Sequence, residues 1–204
     1  MKKINLTSRQ REIIIGKILG DGHLETHSQG QTYKLRIEHS YNQKDYVDWV
    51  YNELKSCASN LPKIKFQTVR GKIYRKYWFN TISTPSLRFY GQQFYPNNKK
   101  VIPKYIYKWL SPLTLAVWFM DDGSIKSKEC QAKILNTQGY SSEDVQKLID
   151  TLEHVYNLHT KARKQKEGLQ IYIPAQEVEK FKSIIEKYII PSMEYKLVNT
   201  RHKM

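Results

Sequence analysis

The order of hydrophobic and polar positions is written twice along this chain. An apolar run at residues 13–15 leads into Gly-Asp-Gly at 20–22, and a second apolar run at 115–119 leads into Asp-Asp-Gly at 121–123. Apolar runs that end at an Asp-Gly pair are typical of a buried helix followed by a turn. Each half of the chain is therefore predicted to begin with a helix that ends at an aspartate and a glycine.

The residues that follow each Asp-Gly pair also repeat. Residues 33–40 alternate, with Leu35 and Ile37 on one face and polar residues on the other, which predicts a half-buried strand. Apolar residues then recur at helical spacing between about 43 and 58. The second half has a matching strand at 131–137 and a helix from about 141, and further strands are predicted at 64–69, 73–81, 160–164 and 169–173. Hairpin turns are expected at 70–72 and 167–168.

Each half closes with a further predicted helix, which Thr84-Pro85 opens in the first half and which runs from after Pro174 to about Ile189 in the second. Both halves therefore have the order helix, two strands, helix, two strands, helix. This order is that of an α+β fold. No stretch rich in Gly, Ser or Pro separates the two halves, so we expect them to share an interface. The sequence therefore predicts an α+β monomer in which residues 1–105 and 106–204 are related by a pseudo-twofold axis.

The charge of the chain indicates a polyanionic partner. There are 34 Lys and Arg residues against 19 Asp and Glu residues, for a formal net charge of +15. Between Glu53 and Asp121 the chain has twelve basic residues and no acidic one, and aromatic residues are interleaved with them. A basic surface without compensating acids repels itself, and a phosphate backbone relieves this repulsion. Nucleic acid is the simplest partner that this composition predicts.

Several classes of protein are not expected. No apolar run approaches the ~20 residues of a membrane span, and the first residues lack the apolar core of a secretory signal. Cys57 and Cys130 are too few for a disulfide scaffold or a cysteine-rich zinc site. We therefore expect no membrane partner and no disulfide framework.

Asp21 and Asp122 are the strongest candidates for catalytic chemistry. Gly16 and Gly20 lie four residues apart on the first predicted helix, and small residues at this spacing let two helix backbones approach closely. If the repeated helices pack together, both carboxylates emerge side by side and repel each other. A hard divalent cation such as Mg²⁺ offsets this repulsion and prefers oxygen ligands. Beside DNA, such a metal activates water and stabilises the leaving oxygen of a phosphodiester.

The two repeated segments resemble those of a known family. Residues 14–22, IIGKILGDG, and residues 115–123, LAVWFMDDG, resemble the two nonapeptide motifs of single-chain LAGLIDADG homing endonucleases. Lys17 lies inside the first motif, and Val117 and Met120 replace small residues of the ideal motif. The resemblance covers nearly the whole chain. The chain is especially similar to the I-SceI type of the family at residues 97–100, 115–123, 135–138 and 195–197.

This resemblance implies a fold and a reaction. Each half is expected to be an αββαββα unit, with two saddle-shaped antiparallel sheets lying in the DNA major groove and the two motif helices packed at the centre. The implied reaction is the hydrolysis of both DNA strands across the minor groove, which leaves short 3′ overhangs. The implied metal is Mg²⁺, for which Mn²⁺ can substitute.

The resemblance also implies roles for individual residues. In this family the penultimate acid of each motif binds the metal, and in the I-SceI type two lysines complete the active sites. The implied catalytic residues are Asp21, Asp122, Lys100 and Lys196. The implied metal-contacting residues are Asp21, Asp122, Gly20 and Asp121, of which Asp121 falls on a position that is not catalytic in the family.

Base readout is expected from strand residues that alternate with core positions. Such side chains project from one face of a sheet, where they can reach base edges or phosphates. The candidates are Lys34, Arg36, Glu38, Arg75, Tyr77, Lys161, Arg163, Gln170 and Tyr172.

Three functions remain open at this point. The leading hypothesis is a site-specific, Mg²⁺-dependent endonuclease that cuts double-stranded DNA and initiates intron mobility. The alternatives are an RNA maturase that assists splicing of its host intron, and a non-catalytic DNA-binding protein. Loss of either acid would favour the last of these, and neither is lost. The resemblance and the many Lys, Ile, Asn and Tyr residues suggest an organelle-encoded protein of a fungal mitochondrion.

Overall fold

The computed structural model describes residues 3–127 and 129–197, and both halves have the predicted αββαββα order. The first half contains α1 (Ser8–Leu19), β1 (His23–Glu25), β2 (Lys34–Ser40), α2 (Lys44–Leu54), β3 (Lys63–Val69), β4 (Lys72–Asn80) and α3 (Arg88–Phe94). The second half contains α4 (Pro112–Asp122), β5 (Gly123–Ser127), β6 (Cys130–Leu135), α5 (Ser142–Tyr156), β7 (Lys161–Gln165), β8 (Gly168–Ile173) and α6 (Val178–Ile185). The division of the chain between residues 105 and 106 stays a prediction.

Each half builds one four-stranded antiparallel sheet from its four strands. The strand order is β1-β2-β4-β3 in the first sheet and β5-β6-β8-β7 in the second, so the same topology is used twice. The short strands β1 and β5, which follow the two Asp-Gly pairs, lie at one edge of their sheets. The prediction of two related antiparallel sheets is confirmed.

Capping side chains determine where the two motif helices begin. The Thr7 hydroxyl accepts a hydrogen bond from the N–H of Gln10, whose side chain accepts one from the N–H of Thr7. Ser111 accepts a hydrogen bond from the N–H of Thr114 and is followed by a proline in the first turn of α4. These contacts satisfy backbone donors that a helix leaves unpaired at its start.

Each hairpin turn lies within one residue of its own predicted place. Arg70 and Gly71 both have positive φ, at 51° and 76°, which is the backbone of a two-residue turn that matches the twist of the strands. In the second hairpin Gln165 pairs with Gly168, so the turn lies at residues 166–167 rather than 167–168. Gly168 is instead the first residue of β8, with a φ of 139° that disfavours any side chain.

Helices α2 and α3 are shorter than the sequence predicts. Helix α2 ends at Leu54 and continues only as the 3₁₀ turn Lys55–Cys57. The backbone of Ala58 then forms a bridge to Thr81, so the sheet takes up the residues that would have extended the helix. Likewise α3 starts at Arg88, after the 3₁₀ turn Pro85–Leu87.

The motif helices α1 and α4 pack against each other at the centre of the molecule, as predicted. A Cβ atom at Gly16 would lie 2.7 Å from the Cβ of Val117, and one at Gly20 would lie 2.4 Å from the Cβ of Asp121. The glycines of α1 therefore make room for the larger side chains of α4. This explains how the interface accommodates Val117, which replaces a small residue of the ideal motif. No helix among the described residues has the length and apolar composition needed to cross a bilayer.

The helix contact generates a test of stability. Gly16→Ala places a methyl group 2.7 Å from the Thr114 carbonyl oxygen, and we expect the free energy of unfolding to fall by about 1–3 kcal/mol. The matched control is Gly139→Ala, because a Cβ at Gly139 meets no atom within 4 Å. Urea denaturation measures both variants, and an equal change in the two would contradict the close packing of α1 and α4.

Candidate active site and nucleic-acid interface

The carboxyl ends of α1 and α4 meet, and each carries one of the two candidate acids. The N–H of Asp21 donates a hydrogen bond of 3.0 Å to Oδ2 of Asp121, the residue that precedes Asp122. Gly20 has no side chain, and a Cβ there would lie 2.5 Å from the same oxygen. The structure thus brings the two motif ends, and with them Asp21 and Asp122, into one site.

The two acids have different surroundings. The side chain of Asp21 is 47% exposed, whereas Asp122 is mostly buried. Burial, together with the negative charges of Asp21 and Asp121, raises the pKa of Asp122 to about 8. Negative charge is therefore concentrated where the two helices end, and ionising all of it is unfavourable without a nearby cation.

The structure also brings both predicted lysines to the helix ends. Lys100 Nζ donates to the carbonyl oxygen of Gly20 at 3.0 Å, and Lys196 Nζ donates to that of Asp121 at 2.8 Å. These carbonyls are equivalent, because each belongs to the residue that precedes a candidate acid. Burial lowers the pKa of both lysines.

The side chain of Asp121 accepts hydrogen bonds from three groups of the protein. Its Oδ1 accepts hydrogen bonds from Lys17 Nζ at 2.7 Å and from the Tyr46 hydroxyl at 2.8 Å, and its Oδ2 accepts the N–H of Asp21. Ligand atoms of Asp21, His39 and Asp121 lie within 4.8 Å of one another, but the Lys17 ammonium already lies against two of these side chains. Both oxygens of the Asp121 carboxylate therefore have partners within the protein, and a contact between Asp121 and the metal stays a prediction.

The remaining oxygens could hold a hard divalent cation. They are the carboxylates of Asp21 and Asp122 and the helix-end carbonyls of Gly20 and Asp121, each of which also accepts a hydrogen bond from a lysine ammonium group. A set made only of oxygen atoms suits Mg²⁺. The raised pKa of Asp122 fits the same group, because a cation beside it would offset the charges that hold its proton on.

The outer face of the first sheet carries three of the predicted readout residues. Lys34, Arg36 and Glu38 are half-exposed and alternate with buried residues of β2, as predicted. They are joined by ion pairs, since Arg36 contacts Glu38 at 2.7 Å and both Lys34 and Arg36 contact Glu25. The basic groups of this face are therefore partly neutralised by its own glutamates.

Arg75 and Tyr77 lie on the other side of this sheet. The pairing of Glu38 with Trp78 and of Ser40 with Lys76 puts the even-numbered residues of β4 on the readout face. The Tyr77 hydroxyl instead donates to Asp48 of α2, and the Arg75 guanidinium lies over the Tyr41 ring. The expectation that Arg75 and Tyr77 project with the other readout residues is therefore wrong, because the odd-numbered residues of β4 share the side of the buried residues of β2.

The four predicted residues of the second sheet do share one face. Lys161 pairs with Tyr172 and Arg163 pairs with Gln170 across strands β7 and β8. Gln170 donates to the side-chain oxygen of Asn136 at 2.7 Å, and the Asn136 amide donates to the carbonyl oxygen of Asp122. Paired residues of an antiparallel sheet project from the same side, so these side chains form a continuous surface that reaches the candidate site.

Sequence reasoning missed the polar residues that surround Asp121. In the sequence, Lys17 is visible only as a departure from the motif. A lysine on a mostly apolar helix face needs a buried partner, which the sequence does not identify. His39 follows Leu35 and Ile37 at every second position of β2, so the alternation by itself indicates that the His39 side chain is buried. No local pattern indicated Tyr46, because its contact crosses from one half of the chain to the other.

The chain matches the model of one protein family and, along most of its length, several individual proteins. The profile of the LAGLIDADG DNA endonuclease family matches residues 11–181. DNA endonuclease I-ChuI of Chlamydomonas applanata is 30% identical over 210 residues, which cover 95% of this chain and 96% of that protein. Cytochrome b mRNA maturase bI2 of Saccharomyces cerevisiae is 34% identical over 200 residues, which cover 92% of this chain and 47% of that protein.

A solved structure agrees with the match in sequence. The homing endonuclease I-WcaI, bound to its DNA recognition sequence, superposes with a TM-score of 0.91 at 28% identity, over 96% of this chain and 88% of that one. The closer similarity to the I-SceI type stays a prediction. The repeated fold, the two acids at adjacent helix ends and the extent of the family match lead to one conclusion: the chain belongs to the LAGLIDADG DNA endonuclease family.

Proposed function

We propose that this protein is a site-specific endonuclease that hydrolyses both strands of a long DNA target and initiates intron mobility. The observation that carries the proposal is the meeting of Asp21 and Asp122 at adjacent helix ends, each with a lysine beside it. I-ChuI, which is named a DNA endonuclease, and I-WcaI, whose structure contains its DNA recognition sequence, support the same activity.

The metal that we propose is Mg²⁺, with Mn²⁺ as a substitute. Asp21 and Asp122 would hold it through their carboxylates, and the carbonyls of Gly20 and Asp121, the residues that precede the two acids, are candidates for further contacts. When bound, such a metal supplies an activated water and stabilises the leaving oxygen of the phosphodiester.

The two lysines are proposed to act on the charge of the phosphate. Lys100 and Lys196 each place an ammonium group at the carbonyl that precedes an acid, one on each side of the pseudo-twofold axis. Partial burial strengthens the interaction of these ammonium groups with a nearby anion. Each lysine is therefore placed to offset the negative charge that develops on one scissile phosphate.

The two sheets are proposed to bind double-stranded DNA through their outer faces. Lys161, Arg163, Gln170 and Tyr172 project from one side of the second sheet, and in the first sheet Lys65 and Lys76 join the face of β2. Basic groups on these faces would contact phosphates, while Gln170 and Arg36 can reach base edges. Arg75 and Tyr77 are left out of this interface because they lie on its far side.

A second candidate function is that of an RNA maturase. The match to cytochrome b mRNA maturase bI2 at 34% identity favours it, and host intron RNA would then be a further partner. Such relatives in two yeasts also support the proposal of an intron-encoded, mitochondrial origin. A non-catalytic DNA-binding role is less favoured, because both acids are present and meet in one site.

Selection of cleaved sites from a randomised DNA library tests the endonuclease. With Mg²⁺, the wild-type protein is expected to yield one long asymmetric site with staggered ends. Asp21→Asn and Asp122→Asn should each reduce double-strand cutting by at least about 100-fold, because each removes a metal-binding carboxylate. Asp150→Asn, which changes an exposed carboxylate of α5, is the matched control. If the wild type binds one DNA site or structured RNA and never cuts, the nuclease proposal fails.

A pair of charge variants tests the DNA-binding face. Lys161→Gln with Arg163→Gln should weaken DNA binding and reduce the slope of log affinity against log salt by about 2, because two phosphate contacts are lost. Lys164→Gln is the matched control, since Lys164 lies on the opposite face of the same strand and should change the slope little. Fluorescence anisotropy over a range of salt concentrations measures both, and equal slopes would place the interface elsewhere.

The raised pKa of Asp122 predicts how stability depends on pH without metal. A carboxyl whose pKa is raised to about 8 by folding stabilises the fold below its ordinary pKa, and this stabilisation is lost as the pH rises through 8. The melting temperature in EDTA should therefore fall between pH 5 and pH 8.5. This fall corresponds to a loss on the order of a few kcal/mol in the free energy of unfolding. Asp122→Asn should flatten this decline, and Mg²⁺ should oppose it in the wild type. An unchanged pH profile in Asp122→Asn would contradict the assignment.

A further inference from the structure

The two motif ends are related by the pseudo-twofold axis, but their sequences differ, and two of the differences concern residues in contact. Lys17 of α1 stands where α4 has Trp118, and Asp121 of α4 stands where α1 has Gly20. The carboxylate of Asp121 fills the space that Gly20 leaves, and Lys17 pairs with it. These departures from symmetry therefore belong to one cluster, which lies on the side of the site that contains Asp21.

The cluster is a continuous chain of short polar contacts. Lys17 Nζ lies 2.7 Å from Oδ1 of Asp121 and 2.7 Å from Nε2 of His39, and the Tyr46 hydroxyl donates to the same Oδ1. The Lys17 and Asp121 side chains are fully buried, and that of His39 is nearly so. A buried ion pair is costly unless its hydrogen bonds are satisfied, and here each charged group has more than one partner.

The contacts reach Asp21 by two routes. Oδ2 of Asp121 accepts the backbone N–H of Asp21 at 3.0 Å, which fixes the point where the chain leaves α1. Because the Lys17 ammonium donates to Nε2 of His39, the ring carries its hydrogen on Nδ1. That nitrogen lies 3.2 Å from Oε1 of Gln43 and 3.5 Å from Oδ2 of Asp21. The backbone of Asp21 is thereby held by a hydrogen bond, and its carboxylate lies beside the edge of the His39 ring.

Asp122 is supported differently. Its carbonyl oxygen accepts hydrogen bonds from the backbone and the side chain of Asn136, while the Lys17 counterpart in its half is the buried indole of Trp118. Partners behind a metal ligand commonly determine its orientation and change metal affinity by about 10–100-fold when they are removed. The two acids therefore depend on different supporting residues.

We propose that Lys17, His39 and Asp121 are positioning residues that orient Asp21 for the metal, and that they make the two acid sites non-equivalent. The inference rests on the proposed metal-dependent cleavage. It extends that function by assigning a support for one acid that the other lacks. None of the three residues is proposed to touch the metal through its side chain.

The test measures Mn²⁺ affinity separately at each acid in the complex with the selected DNA. Lys17→Leu with Asp121→Ala restores both ideal motif residues and removes the buried ion pair together with its two charges. In an Asp122→Asn background, where Asp21 remains, we expect the Mn²⁺ dissociation constant to rise about tenfold. In an Asp21→Asn background, where Asp122 remains, it should change less than about twofold. Electron paramagnetic resonance of free Mn²⁺ gives these values.

Two further variants separate positioning from general stability. Thr114→Val removes a bond from the Thr114 hydroxyl to the Glu12 carbonyl at the far end of the same helix pair, so it should lower the melting temperature and leave both affinities unchanged. His39→Gln leaves the ion pair in place and should weaken Mn²⁺ binding only where Asp21 remains. This variant carries the test if the double variant does not fold.

The outcomes distinguish the two proposals. If the wild type cuts DNA with metal but the double variant and His39→Gln weaken both sites equally, or neither site, the positioning role is overturned. If the wild-type complex binds no Mn²⁺ and cuts no DNA, the proposed endonuclease fails first, and the positioning role fails with it. A selective loss at Asp21 supports the inference.

Discussion

The close approach of helices α1 and α4 is the constraint on which the candidate site depends. Asp21 and Asp122 belong to different halves of the chain, and they meet only because Gly16 and Gly20 present almost no side chain to α4. The side chains of Val117 and Asp121 on α4 fill the space that these glycines leave. Small residues let helix backbones approach each other. Each acid lies at the carboxyl end of its helix, so the two acids emerge together. A slightly wider separation would remove the hydrogen bond between the N–H of Asp21 and Asp121 and move the two acids apart.

Bringing acids together in this way concentrates negative charge, and the ammonium groups of nearby lysines offset part of that charge. The carbonyl ends of two helices also carry partial negative charge, which favours cations in the same place. Lys17 lies inside the interface, whereas Lys100 and Lys196 reach the outermost carbonyls from either side. Burial, together with the charges of Asp21 and Asp121, nevertheless raises the pKa of Asp122. A divalent cation is therefore the natural complement to the site.

The two sheets repeat one topology and still present different surfaces. On the first sheet, Glu25 and Glu38 pair with the basic residues of β2 and β3. On the second sheet, Lys161 and Arg163 form no ion pair within the part of the chain that the structure describes. Their charges are thus more available to phosphates, while the paired residues of the first sheet are held in defined orientations. A duplicated fold can in this way bind an asymmetric target, because each half contributes a different pattern of charge and hydrogen bonding.

By itself, the sequence determined the repeated order of elements, the α+β class and the two acids, since these follow from periodicity and from motifs at matched places. Through the family resemblance it also pointed to Lys100 and Lys196, which the structure brings to the carbonyls that precede the two acids and whose catalytic role stays a prediction. Only the tertiary structure decided that Arg75 and Tyr77 face away from the readout surface, because a one-residue shift in register reverses every side chain of a strand. It alone decided that Asp121 pairs with Lys17, because that contact joins residues from the two halves, whose distance in space no local pattern encodes.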